Sequence, residues 1–177
     1  MSKNELPVSR KQILYLALAV FVPLLFAVAV IWWRPSTAGD AESDQARAAA
    51  VLAVMAIGLG AIVAAAAHRR AVELDADVLV IRHSVYTLAL DRSRIASAAV
   101  KEVATVEELG LRTRANGIAA FGYLSGWFRT RHGQLMFCAI SAWPVYHIAL
   151  DGEAECKEIA LSASPELARR IAAWVQS

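Results

Sequence analysis

Four arginines in two short repeats are the residues best suited to binding chemistry. Arg112 and Arg114 flank one threonine, and Arg129 and Arg131 flank another. Because successive side chains of a strand point to opposite faces, both arginines of each pair lie on one side if these segments are extended. Two paired strands would then offer four guanidinium groups to anionic lipid headgroups or to an acidic segment of a protein partner. The alternative is a solvated strand face balanced by the three glutamates between residues 102 and 108.

Potential metal ligands lack the spacing of a metal site. Asp75 and Asp77 are close in sequence, but no third ligand is near them, and an acidic turn between strands explains them. The remaining candidates show no closely spaced pair of the kind that zinc prefers: His83, His132, His147, Cys138 and Cys156. We therefore predict no metal ion and no other cofactor, and two free buried thiols rather than a disulfide.

No catalytic residue is predicted. Ser125 lies in Gly-Tyr-Leu-Ser-Gly, which is one residue off the spacing of a nucleophile elbow. Glycines that shape a hairpin explain this segment better, and the nearby aromatic residues Tyr123, Trp127 and Phe128 are expected in the core. A hydrolase that uses Ser125 or Cys138 remains the alternative from the class of enzymes.

Composition divides the chain into two parts. Hydrophobic residues make up 58% of the sequence and mean hydropathy is +0.45, with the excess in the first seventy residues. From residue 71 to residue 177 there are eleven Lys and Arg against twelve Asp and Glu, so the second part is nearly neutral. A nucleic-acid-binding domain would carry a strong basic excess, and we predict no nucleic-acid partner.

Two uncharged apolar runs are the first elements of the chain, at about residues 13–33 and 48–67. Each would make a helix of about 30 Å, the thickness of the hydrocarbon core of a bilayer. Lys and Arg gather before the first run and after the second. This pattern predicts a two-helix transmembrane hairpin, hence a multi-pass protein of the inner (plasma) membrane with both termini in the cytoplasm. A cleaved secretory signal ending near Ala27-Val28-Ala29 is the alternative for the first run.

Small residues form a strip along the second run. They recur at steps of three and four residues, which places them on one helical face: Ala49, Ala53, Ala56, Gly60 and Ala64. Such a strip allows two helix backbones to approach closely. The partner is predicted to be the first run, and a second copy of the protein is the alternative. Neither run contains an ionisable residue, which argues against a proton or ion pathway.

Residues 71–177 show the periodicity of a β domain. Short apolar segments separated by turn residues predict seven or eight strands up to Ser162. Ser164-Pro165-Glu166 then has the cap, proline and acidic residue of a helix start, and the following residues place Trp174 on an apolar face. The predicted class is α+β: residues 1–70 form the membrane anchor, and residues 71–177 form an antiparallel β-barrel or bent sheet closed by a C-terminal helix.

The β domain resembles the bacterial pleckstrin-homology-like domains. The resemblance lies in Leu74–Ile81 and Leu88–Asp91 with Ile95, in Gly122–Phe128 ahead of Gly133, and in Ile159–Ser162 followed by Ser164-Pro165. It implies two near-orthogonal antiparallel sheets with a C-terminal helix, frequent fusion to membrane helices, and mostly no assigned activity. Together with the anchor it leads us to expect a non-catalytic interaction module under the inner membrane. Its expected partners are the bilayer and an unidentified protein, which includes self-association. The alternative is an accessory or assembly subunit of a larger membrane complex.

Overall fold

The N-terminal strand and the first two helices form one continuous unit with the β domain. A computed structural model of the chain describes residues 2–7, 10–33, 41–120 and 122–176. Strand β1 (Ser2–Glu5) is followed by helices α1 (Arg10–Trp33) and α2 (Ala41–His68), which pack against each other, and then by β2 (Arg70–Leu74). Strands β1 and β2 are antiparallel neighbours, so the helical hairpin is an insertion in the connection between two paired strands. The polar loop predicted between the apolar runs, residues 34–40, lies outside the described residues.

The first sheet is a four-stranded meander in the order β1-β2-β3-β4. Strand β3 covers Val78–His83 and β4 covers Tyr86–Asp91, both where apolar alternation predicted strands. Leu79 and Ile81 of β3 and Leu88 and Leu90 of β4 are buried, while the residues between them are more accessible. The sheet therefore has one core face, as the period of two requires.

The second sheet has six strands in the order β5-β9-β10-β8-β7-β6. Their bounds are Ile95–Val103 (β5), Leu111–Ala120 (β6), Tyr123–Thr130 (β7), Leu135–Ile140 (β8), Val145–Gly152 (β9) and Glu158–Ser162 (β10). Strand β10 lies between β8 and β9, antiparallel to β9 but parallel to β8. The prediction of an all-antiparallel sheet is therefore wrong at this pair. The last strand enters the gap between two strands that are adjacent in sequence, and apolar alternation carries no information about that insertion.

The C-terminal helix α3 (Pro165–Gln176) closes the core between the two sheets, as the sequence predicted. The Ser164 hydroxyl accepts a hydrogen bond from the backbone N–H of Leu167 at 3.2 Å, which caps the first turn. Leu167, Ile171 and Trp174 are buried against both sheets. A sheet followed by a capping helix is thus correct for this end of the fold.

The predicted transmembrane hairpin is wrong. Residues 13–33 and 48–67 lie in helices, but no helix in the described part of the chain combines the length and the apolarity needed to cross a bilayer. The prediction rested on apolar composition, absence of charge and the length of each run. Ten of the twenty residues from 48 to 67 are alanine and two are glycine, and Pro23 divides the first run. The prediction of a multi-pass inner-membrane protein with cytoplasmic termini depended on these spans, so it is wrong as well.

Candidate functional site

The four arginines lie at one end of the β6–β7 hairpin. Arg112 and Arg114 are on β6, Arg129 is near the end of β7, and Arg131 is in the turn that follows. All four are exposed. Arg129 donates from Nη1 to the carbonyl oxygen of Gly133 at 3.3 Å. The described part of the chain contains two ion pairs, Arg82–Glu73 and His147–Glu158, and neither involves these arginines.

The strand register separates these arginines more than the sequence suggested. The two strands pair, but Arg129 is opposite Thr113 and Arg114 is opposite Phe128. Arg112 falls in an irregularity between the pairs of Leu111 and Thr113, and a second one follows Arg114. Each β-bulge adds an unpaired residue and changes the direction of the side chains. Arg129 is consequently beside a threonine, and Arg112 and Arg114 line the outer strand.

The candidate nucleophiles are inaccessible. Ser125 and Cys138 are both 0% exposed. The Ser125 hydroxyl donates to the backbone oxygen of His83 at 3.0 Å, so its proton is directed to a carbonyl and not to a base. Burial raises the pKa of the Cys138 thiol and raises that of Cys156 to about 12. Both cysteines are free and buried, as predicted, and both thiols remain protonated.

The predicted turn and core residues occupy ordinary structural positions. Asp75 and Asp77 lie in the β2–β3 turn, and Asp75 accepts a hydrogen bond from the backbone N–H of Ala76. Trp127 packs edge-on against Phe137 with ring centroids 5.1 Å apart. Among the described residues, no group of three His, Cys, Asp or Glu side chains could hold a metal ion. These residues therefore account for turns and packing in this part of the chain.

A buried polar cluster at the base of the helical hairpin was missed by sequence analysis. His83 is fully buried, pairs across strands with Arg70, and stacks on Tyr123. In the described part of the chain neither ring nitrogen of His83 has a hydrogen-bond partner. Burial, aided by the charge of Arg70, lowers the pKa of His83 to about 3, and burial also raises the pKa of Tyr123. The only sequence signal was a histidine at an inward position of an alternating strand.

The inner faces of α1 and α2 contact each other through small residues. On α2, Ala49, Ala56 and Gly60 are partly buried and Ala53 is exposed, while the side chain of Ala64 is outside the description. A Cβ atom placed on Gly60 would be 3.2 Å from Cζ of Phe21. Gly60 is therefore at the contact with α1 and allows the close approach, while the role of the strip as a whole stays a prediction.

The outer face of α1 carries a row of large apolar side chains that sequence analysis did not identify as a surface. Leu14, Leu18, Phe21 and Leu25 follow one another at steps of four, three and four residues, and are 42–66% exposed. We call these four residues the α1 seam. Steps of four and three are those of a helix that packs side by side with another helix. Helix α2 packs beside this row: Leu24 and Val28 of α1 are partly buried, and Phe21, at the border of the seam, lies against Gly60 of α2.

Comparison with known proteins identifies no relative: no family model, no curated protein and no solved structure matches the chain. The resemblance to bacterial pleckstrin-homology-like domains accordingly stays a prediction.

Proposed function

We propose that this protein is a non-catalytic interaction module that associates with a second copy of itself through the α1 seam. The observation that carries the proposal is exposed apolar surface. In the described part of α1 and α2, thirteen large apolar side chains are 42–89% exposed. Four of them form the α1 seam, and large exposed apolar patches are rare on monomers and mark contact surfaces.

A second copy suits this surface because the seam has no charge to select another partner. The exposed side chains of the seam are leucine and phenylalanine, and their spacing allows knobs of one helix to enter holes of an identical helix. A two-fold axis would bring the same patch of both chains together. The buried state of Ser125 and Cys138 supports the absence of catalysis at the residues that were candidates for it.

A second candidate is a subunit of a complex with a different protein. Phe26, Val30 and Trp33 are also exposed, at 71%, 45% and 89%, but they lie away from the α1 seam. Association through the seam would leave them uncovered. They favour a further apolar partner on that side of α1, which would correspond to an accessory or assembly subunit.

Substitutions on the two sides of α1 test these candidates. We expect Leu18→Glu and Leu25→Glu to dissociate the wild-type dimer, because each places a charge in the apolar contact. Val30→Glu is the matched control, since it adds the same charge to the same helix outside the seam. Molar mass is measured by light scattering on the full chain, and circular dichroism verifies that each variant is folded. A dimer that survives both seam substitutions, or that dissociates only with Val30→Glu, overturns the proposal.

A further inference from the structure

Strand β6 is an open edge of the second sheet. It runs over ten residues, Leu111–Ala120, and is the last strand in the order, so within the described residues its one strand neighbour is β7. Residues 112–116 are exposed without interruption. The outward N–H and C=O groups of such an edge are a template for another strand. By contrast, α3 packs against β5, the strand at the opposite edge.

The charge of this edge has one sign. Arg112 and Arg114 are on β6, Arg129 and Arg131 are close to it in the hairpin, and the strand itself contains no acidic residue. Glu107 and Glu108 precede β6 in a 3₁₀ turn, but neither forms an ion pair with these arginines. The positive charge of the edge is therefore available to acidic groups of another molecule.

The two halves of β6 have different geometry. Both irregularities of the β6–β7 register fall between Leu111 and Asn116. From Asn116 to Ala120 the pairing with Trp127 to Tyr123 is regular. The backbones of β6 and β7 lie close together in this half: a Cβ atom on Gly117 would be 2.8 Å from the backbone oxygen of Ser125. The regular half can form a ladder with an added strand, and the half with the irregularities, directly before it, carries the exposed Arg112 and Arg114.

We propose that β6 is a docking edge for an extended acidic peptide segment of a partner protein. The backbone of the peptide pairs with the regular half of β6, and its carboxylates lie beside Arg112 and Arg114. Main-chain hydrogen bonds supply the strand-to-strand binding, and the arginines select acidic over basic sequences. This edge is separate from the α1 seam, so the inference adds a second contact surface and does not depend on self-association.

The first test measures the charge selection. The probe is a fluorescent ten-residue peptide of alternating valine and glutamate with blocked termini, titrated with the full-chain protein and followed by anisotropy. We expect saturable binding that Arg112→Gln with Arg114→Gln weakens about tenfold, as the loss of two charge-assisted contacts predicts. Arg92→Gln with Arg94→Gln is the matched control, because these arginines have the same spacing in the turn before β5. Equal weakening by both pairs overturns the proposal.

The second test separates strand pairing from general attraction between opposite charges. Two versions of the peptide are N-methylated, one at all valines and the other at all glutamates. An added strand uses alternate N–H groups, so one version should lose binding and the other should retain it. Retention by both shows that no strand is added and overturns the proposal. Binding of vesicles with anionic headgroups that requires Arg112 and Arg114, without binding of the peptide, also overturns it.

Discussion

The imidazole of His83 stacks on the phenol ring of Tyr123, with ring centroids 5.0 Å apart and ring planes 24° from parallel. His83 belongs to the first sheet and Tyr123 to the second, so the stack joins the two sheets directly below the helical hairpin. Burial, together with the smaller effect of the positive charge of Arg70, lowers the pKa of the imidazole from 6.5 to about 3 and keeps it neutral. The junction of the sheets is therefore built around an uncharged histidine.

Acid should weaken the fold through His83. The unfolded chain binds a proton near pH 6.5, whereas the folded chain resists it down to about pH 3. The contribution of this group to stability is complete above pH 6.5 and is lost as the pH falls between these values, by about 1.4 kcal/mol per pH unit. Urea unfolding at about pH 7.5 and about pH 5 should therefore show a difference of about 2 kcal/mol from this group.

His83→Phe should flatten that pH dependence, since phenylalanine keeps a ring against Tyr123 and cannot take up a proton. His132→Phe is the control, because His132 is exposed in the turn after β7 and should leave the wild-type slope unchanged. If the free energy of unfolding of His83→Phe changes with pH as steeply as that of the wild type, the imidazole of His83 is not neutral and buried.

Trp174 should fix α3 through its indole nitrogen. Nε1 donates to the backbone oxygens of Asp75, at 2.6 Å, and of Ala76, at 3.1 Å, in the β2–β3 turn. Trp174→Phe keeps most of the buried ring but leaves these carbonyls without this donor, so we expect a loss of about 1–3 kcal/mol in the free energy of unfolding. Trp143→Phe, at a side chain that is 48% exposed, should change it by less than about 0.5 kcal/mol. Equal effects of the two substitutions in urea unfolding would refute this role.

Gly126 should not tolerate a side chain. Its φ is +103°, and a Cβ atom would lie 2.7 Å from the backbone oxygen of Asn116 and 2.9 Å from Cε2 of Tyr86. We expect Gly126→Ala to lower thermal stability severely or to prevent folding, because backbone strain and overlap add. Gly133 has a φ of +79°, but no atom lies within 4 Å of an added Cβ. Gly133→Ala should therefore lower the free energy of unfolding by only about 1–2 kcal/mol. A midpoint of thermal unfolding no lower for Gly126→Ala than for Gly133→Ala would disprove the overlap.

The two cysteines should react with a thiol reagent only when the protein unfolds. Cys138 and Cys156 are 0% and 1% exposed, and burial raises the pKa of both thiols. A thiol reagent near neutral pH should therefore label neither residue in the folded protein and both after unfolding in urea, because the thiolate is the reactive form. Mass spectrometry of the labelled protein counts the modified sites. Rapid labelling of either cysteine without denaturant would be inconsistent with this core.

Local patterns in the sequence determined most of the β domain. Apolar runs at residues 78–81 and 85–90 predicted strands that the structure has at Val78–His83 and Tyr86–Asp91, and the Ser164-Pro165 signal predicted the start of α3. These features depend on neighbouring residues alone, through side-chain period and capping. The contribution of β1 to the first sheet was not predicted, because four residues far from their partner strand in sequence give no periodic signal.

Several features that were not predicted depend on residues that are far apart in the sequence. The position of β10 between β8 and β9 depends on contacts across the sheet, and no residue of Glu158–Ser162 specifies its neighbours. Strand alternation was extended through the segment that carries Arg112 and Arg114, and alternation alone could not predict the two irregularities there. Two uncharged apolar runs were interpreted as membrane spans, but no helix in the described part of the chain is long and apolar enough to cross a bilayer.

The molar mass of the unmodified full chain without detergent tests the central claim most directly. Sedimentation velocity over a range of about 1 to 100 μM should give twice the 19.1 kDa of one chain, with dissociation on dilution if the dimer is weak. A mass of 19.1 kDa throughout this range would contradict self-association through the α1 seam. So would a chain that stays in solution only with detergent and is monomeric there.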